Sequence, residues 1–248
     1  MMRKITIILI VITALLLAGC GKTPQTPRSN DLVVHGSGTI ISKEIDVTEF
    51  DRLEAGLHFD LTIRHGDDYL LTVLSDDNFI EYIDVKQVGT TLSLGLDPGY
   101  AYNIYDVTLQ VEATLPDLVG LTLNQSSHAW IDQAFSTDTF TAELTGSGSL
   151  EGELQAAKAN FKLSGASAVN LSGSAETLRL DSCGNSIANL ERFTAVEAVL
   201  EVSCNSITSI RVNGSLEVNA SQNAQVFYSG EPVSLSSDTF QSALVEKK

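Results

Sequence analysis

From Pro116 onward the chain returns to an aliphatic residue about every nineteen positions, and few folds accept a period of that length. Ile131, Leu150, Val169, Ile187, Ile207, Val226 and Leu244 stand 19, 19, 18, 20, 19 and 18 residues apart. Small or polar clusters precede most of them: GSGS at 146–149, GASA at 165–168, CGNS at 183–186, CNS at 204–206 and QNAQ at 222–225. Such a period is that of a solenoid, in which each coil covers the apolar side of its neighbour. No window carries the spacing of a long amphipathic helix, so the coils are read as β. Each turn then holds two or three short strands, and successive rungs hydrogen-bond at about 4.8 Å spacing. The aliphatic residues are expected to stack inside as one ladder, giving about seven coils. Gly146, Gly165 and Gly184 are expected at one corner, with Asn205 and Asn223 following in the same column. These are the residue types that best tolerate a left-handed backbone. Stacked Asn amides would also bond to one another along the column.

Residues 32–115 have a different texture. Phe59, Leu61 and Ile63 alternate with polar residues, as do Leu92, Leu94 and Leu96, and Tyr105, Val107, Leu109 and Val111. Period-two alternation puts one face of a strand in a core and the other in water. Turn clusters at 65–68, 75–78 and 97–99 separate these runs. The region reads as β-strands that cap one end of the 116–248 repeat. The charged end Glu246-Lys247-Lys248 is expected to finish the other.

The first twenty residues form a separate signal. Arg3 and Lys4 are followed by the apolar run 5–17 and then by Leu17-Ala18-Gly19-Cys20. That run is shorter than the about 20 residues needed to span a bilayer, and fits a secretory leader instead. The L-A-G-C run resembles the bacterial lipobox. It implies removal of the signal peptide 1–19 and lipidation of Cys20, so that lipid chains hold the protein to a membrane. Gly21, in place of the Asp that retains lipoproteins in the inner membrane, favours the outer one. Residues 20–31 read as the lipidated Cys and a polar tether carrying Pro24 and Pro27.

Charge narrows the partners. The chain has 15 Lys and Arg against 31 Asp and Glu, a formal net charge of −16. A surface of that sign repels phosphate backbones and anionic headgroups, so no nucleic acid is expected as a partner. The expected partners are the membrane, through the lipid, and an envelope protein or glycan; the oligomeric state is left open. Export makes a disulfide between Cys183 and Cys204 chemically allowed, and two stacked free thiols on neighbouring coils are the alternative.

Several segments resemble the head GIN domain family of auto-transporter adhesins. These are GSGTIISKEIDVTEFDRLEAGLHFDLTIRHGDDYLLTV at 36–73, the strand Thr91–Leu94, TLPDLVGLTLNQSS at 114–127, and the small-residue turns beyond. The likeness runs over roughly residues 34–245. It implies an all-β fold, a right-handed parallel β-helix, in the bacterial envelope, and it carries no catalytic residue or ligand. Only Gly146-Ser147-Gly148 keeps the family's full turn pattern in the repeat region.

The residues themselves offer little catalysis. Asp132, Asp138, Glu143, Glu151, Glu153, Glu176 and Asp181 show no column that sets two carboxylates across a cleft at the about 5–9 Å that glycoside hydrolysis needs. Lys158, Lys162, Arg179, Arg192 and Arg211 are scattered. His35, His58, His65 and His128 lack metal-ligand spacing, and no nucleophile elbow is present. Asp67-Asp68 and Asp76-Asp77-Asn78 read as turns or, alternatively, as oxygen ligands for Ca²⁺. No metal and no cofactor are expected. Trp130 reads as packing at the start of the repeat or as a ligand contact, and with Tyr100, Tyr102 and Tyr105 it is a candidate sugar-stacking surface. The favoured reading is a non-enzymatic, adhesin-like binding or scaffold protein. A polysaccharide hydrolase or lyase on the same fold, and an envelope assembly or stress factor, are the alternatives.

Overall fold

The computed structural model describes residues 31–248. Cys20, the signal peptide 1–19 and the tether up to residue 30 lie outside the described residues. The chain begins with β1 (Asp31–His35), β2 (Ile40–Ile45), β3 (Arg52–Ala55), β4 (Asp60–His65) and β5 (Leu70–Asp76). A single 3-10 turn (Ile80–Tyr82) leads to β6 (Ile83–Val88), β7 (Thr91–Leu96), β8 (Ala101–Tyr105) and β9 (Leu109–Leu115). The repeat follows as β10 (Gly120–Leu123), β11 (His128–Leu144), β12 (Ser149–Leu163), β13 (Ala168–Ser182), β14 (Ile187–Val202) and β15 (Ile207–Ala220). It ends with β16 (Gln225–Ser229), β17 (Ser234–Thr239) and β18 (Leu244–Lys247).

Every contact between successive rungs of the repeat is parallel, from β11 on β12 to β15 on β16 and β17, and β16 on β18. The fold is a parallel β-solenoid. The stack also reaches back before residue 116, because β3 pairs with β10 and β4 with β11, both parallel. Antiparallel strands then close that end: β5 lies between β2 and β9, and β6 runs against β7.

Register decides what faces inward, since a one-residue slip turns every side chain to the other side. The pairing stacks Leu61, Ala129, Leu150, Val169, Ala188, Thr208 and Val226 in one interior column. All seven are buried. The expected ladder holds for Leu150, Val169 and Val226. Ile131 is also buried, but it belongs to the neighbouring column, paired with Ile63 and Gly152. Ile187, Ile207 and Leu244 correct the expectation: they are 48%, 37% and 43% exposed. The cause lies at the corner, where Ile187 N–H donates to the Ser167 carbonyl and Ile207 N–H to that of Ser186. Those bonds align Ile187 with Ala168 and Ile207 with Ile187, both outward, and send Ala188 and Thr208 inside.

Thr208 is therefore a hydroxyl in an otherwise apolar column, fully buried, with no partner for Oγ1. Thr208→Val keeps the branched shape and removes the unpaired group. We expect it to stabilise the fold by about 1 kcal/mol, read as a rise in thermal midpoint; a fall would place Oγ1 in a bond. Volume is balanced elsewhere by staggering. Phe140 stacks on Ala159 while Ala142 stacks on Phe161, so rings of successive rungs interdigitate, with Phe140–Phe161 centroids 6.1 Å apart.

The corner repeats one backbone shape. Leu57, Gln125, Gly146, Gly165, Gly184, Cys204, Gln222 and Gln241 all have φ between 59° and 82°. Cys204 and Gln222, not Asn205 and Asn223, thus continue the glycine column. The asparagines sit one position later, where Asn205 Nδ2 donates to Asn185 Oδ1 at 3.1 Å and Asn223 Nδ2 to Asn205 Oδ1 at 3.0 Å. At Gly165 the rungs approach so closely that a Cβ would meet the Gly146 carbonyl oxygen at 2.5 Å. Cys183 and Cys204 are half-buried free thiols. Cys204 stacks on Gly184, so the two cysteines are one position out of line.

The closed end is pinned by the Asp76-Asp77-Asn78 cluster. Asp76 is 1% exposed; its Oδ1 accepts from Gly38 N–H at 2.7 Å and its Oδ2 from Thr108 N–H at 2.8 Å. The Thr108 N–H, and after burial the Gly38 N–H, set the balance that lowers the Asp76 carboxyl below its ordinary value. Asp77 accepts from Ser37 Oγ and Asn78 donates to the His35 carbonyl. Four of the cluster's five side-chain oxygens thus accept hydrogen bonds from Ser37, Gly38 and Thr108.

Candidate binding face

Alternation along β11 buries Ala129 and Ile131 and turns Trp130 outward, 43% exposed. The same pleat carries the outward positions of each rung into three parallel stripes. The middle stripe runs Thr62, Trp130, Glu151, Asn170, Asn189, Ser209 and Phe227. One flanking stripe runs His128, Ser149, Ala168, Ile187, Ile207 and Gln225. The third runs Glu153, Ser172 and Arg192, with Asp132 beside it at a register shift of β11 and Arg64 hydrogen-bonded to Asp132. This side of the stack thus exposes Trp130, Ile187 and Ile207 among amides and hydroxyls.

The stripes are held by bonds between rungs. Asn189 Nδ2 donates to Asn170 Oδ1 at 3.1 Å, and His128 Nδ1 lies 2.5 Å from Ser149 Oγ. Trp130 Nε1 donates to Asp132 Oδ1 at 3.4 Å. Asp132 Oδ2 in turn accepts from Arg64 Nε at 3.0 Å, and Arg64 also pairs with Glu112 at 3.1 Å. The Arg64 guanidinium, and after it the indole N–H, hold the Asp132 carboxyl below its ordinary value. A shallow groove of about 280 Å³ lies here, lined by Trp130, Asp132, Glu151, Asn170, Ser172 and Arg192 among others.

A further outward stripe lies on the far strand of each coil. Glu143, Lys162, Asp181, Glu201 and Asn219 stack in register there. Carboxylates of the repeat thus do align along one column, on a single face of the sheet. Lys162 Nζ bonds Glu143 at 2.9 Å, and Asn219 Nδ2 donates to Glu201 at 2.8 Å. Asp181 and Glu201 bound a groove of about 500 Å³ near Phe240. The two carboxylates stand side by side on one sheet face.

The remaining sequence candidates are dispersed. Tyr100 and Tyr102 pack with Tyr82, and burial pushes the Tyr102 hydroxyl up to about 12. Tyr105 stacks on His35 at 4.8 Å. No ring contact among the described residues joins these tyrosines to Trp130. His65 meets Phe135 edge-on and His58 is exposed. No group of three or more His, Cys, Asp or Glu side chains among the described residues is placed to hold a metal. The signal for Trp130 was present in the sequence: it alternates with Ala129 and Ile131.

Against this geometry, residues 49–232 match the family model described as "Putative auto-transporter adhesin, head GIN domain". The chain belongs to the head GIN domain family. Solved structures share the fold. A putative adhesin from Bacteroides fragilis superposes with a TM-score of 0.80 at 20% identity, over 87% of this chain and all of that one. A putative lipid binding protein from Parabacteroides distasonis gives 0.72 at 16% identity, over 88% and 100%. A putative adhesin from Parabacteroides merdae gives 0.69 at 14%, over 87% and 99%. No functionally curated protein matches the chain. In this head GIN domain the corner, the interior ladders and the Trp130 face are all products of one coil geometry.

Proposed function

We propose that this head GIN domain protein is a non-enzymatic binding protein of the bacterial envelope, adhesin-like in role. It would be lipid-anchored at Cys20 in the outer membrane and would engage its partner through the Trp130 face. The observation that carries the reading is the exposed Trp130 on the middle stripe of this face, with the exposed pair Ile187 and Ile207 on adjacent rungs of the stripe beside it. Exposed apolar surface gathered on one face marks an interaction site more often than scattered single residues do. The adhesin descriptions of the Bacteroides fragilis and Parabacteroides merdae structures support the same class.

Two experiments test it. Immobilised protein should capture an envelope component, protein or glycan, and Ile187→Asp/Ile207→Asp should reduce capture at least about tenfold with melting unchanged, since both positions are exposed. Capture unaffected by the pair would remove the face from the account. Separately, Cys20→Ala should move the protein from the membrane to the soluble fraction; retention in the membrane would refute anchoring through that residue.

A further inference from the structure

Trp130 is the chain's only tryptophan. Its ring lies on the surface, and its orientation is braced rather than free. The indole N–H is tied to Asp132, Asp132 to Arg64, and Arg64 to Glu112. The next rung places Glu151 in register with it, and the rung after places Asn170, about 5 and 10 Å away along the stack. A flat apolar ring with a carboxylate and an amide at those intervals suits a pyranose. One sugar face is a patch of C–H groups, and hydroxyls surround its edge. The indole covers the first, and Glu151, Asn170 and Asp132 accept or donate to the second.

Other occupants fit less well. A peptide that adds a strand needs a free sheet edge, and here β11 is paired on both sides, with β4 and β12. A lipid chain needs an enclosed apolar cavity, whereas the groove is shallow and its exposed apolar surface is dominated by one ring. An acidic glycan meets Asp132, Glu151 and Glu153 against the one cation lining the groove, Arg192, while the adjacent Arg64 is already paired with Asp132 and Glu112. Beyond them lies the field of a chain with a net charge of −16.

We infer that the groove at Trp130 binds a neutral saccharide, with one pyranose stacked on the indole and its hydroxyls held by Glu151 and Asn170. The inference rests on the reading of this face as the binding surface and names the ligand class. Because the chain has a single tryptophan, its emission reports the site directly. The full chain, purified in a zwitterionic detergent without sugar headgroups, is titrated with neutral gluco-, manno-, galacto-, xylo- and N-acetylglucosamine oligosaccharides, and with oligogalacturonate as the acidic probe. At least one neutral series should shift the emission saturably, and oligogalacturonate should not. By calorimetry, Trp130→Phe should weaken binding roughly tenfold and Trp130→Ala should abolish it, both with unchanged melting.

Absence of any saturable shift with the neutral series would overturn the inference, as would equal calorimetric binding by Trp130→Ala or a preference for the acidic probe. The outcomes separate the two levels. If the neutral series fails while Ile187→Asp/Ile207→Asp still cuts envelope capture, the face stands and the saccharide falls. If both fail, the face falls too.

Discussion

Val169→Asp is expected to abolish cooperative melting or lower stability by several kcal/mol, while Ile187→Asp melts within about 0.5 kcal/mol of the parent. The two residues are both aliphatic and occupy comparable places in the repeat, so sequence alone does not rank them. The pleat does. Val169 is 1% exposed between Leu150 and Ala188, and a carboxylate there would have neither water nor a cation. Typical domains hold only about 5–15 kcal/mol in total, so one such charge consumes a large share. Ile187 projects from the opposite side of the same strands, where an aspartate is hydrated. Thermal or denaturant unfolding of the pair reads the difference; similar losses would mean that the rungs are not in the described register.

Asp76→Asn is expected to cost about 3 kcal/mol at pH 7, because the Asp76 carboxylate takes two backbone N–H groups at 2.7 and 2.8 Å. Asparagine offers one oxygen and turns an NH₂ toward the other donor. The pH dependence follows from the sign of the shift. The folded-state carboxyl lies below its ordinary value of 3.8. Its contribution is therefore complete above that value and is lost as pH falls through the lower, folded one. The stability gap between parent and Asp76→Asn should be constant from pH 7 to 5 and shrink below about 4. A gap that persists unchanged in acid would show that the effect does not come from the charge.

The period of the solenoid was legible in the sequence because each rung contributes both an apolar residue and a tight corner. Which residue fills the interior was harder to read, since turns of 18 to 21 residues change the parity between one rung and the next. The hydrogen bonds at Ser167 and Ser186 settle that parity, and they leave Ala188 and Thr208 where the stronger hydrophobes Ile187 and Ile207 seemed better suited. The same offset moved Cys204 into the left-handed column and the asparagines out of it. Asp76 was opaque for another reason: its partners lie 38 and 32 residues away, so its local sequence looks like any acidic turn. Trp130 was readable as a candidate contact, but its bracing through Asp132 to Arg64 joins residues 68 apart. The alignment of Glu143, Asp181 and Glu201 likewise exists only once the rungs are stacked.

The interior ladders, the corner column and the Trp130 face all depend on rungs stacked in register, and a distance across several rungs measures that stacking directly. Spin labels at Ser126 and Asn223, both exposed and in the same corner column, suit a chain with Cys20→Ala, Cys183→Ser and Cys204→Asn. Five rungs separate the two sites, so electron–electron dipolar spectroscopy should return a narrow distribution near about 24 Å, widened by the label arms. A broad distribution, or one centred beyond about 40 Å, would contradict the stack.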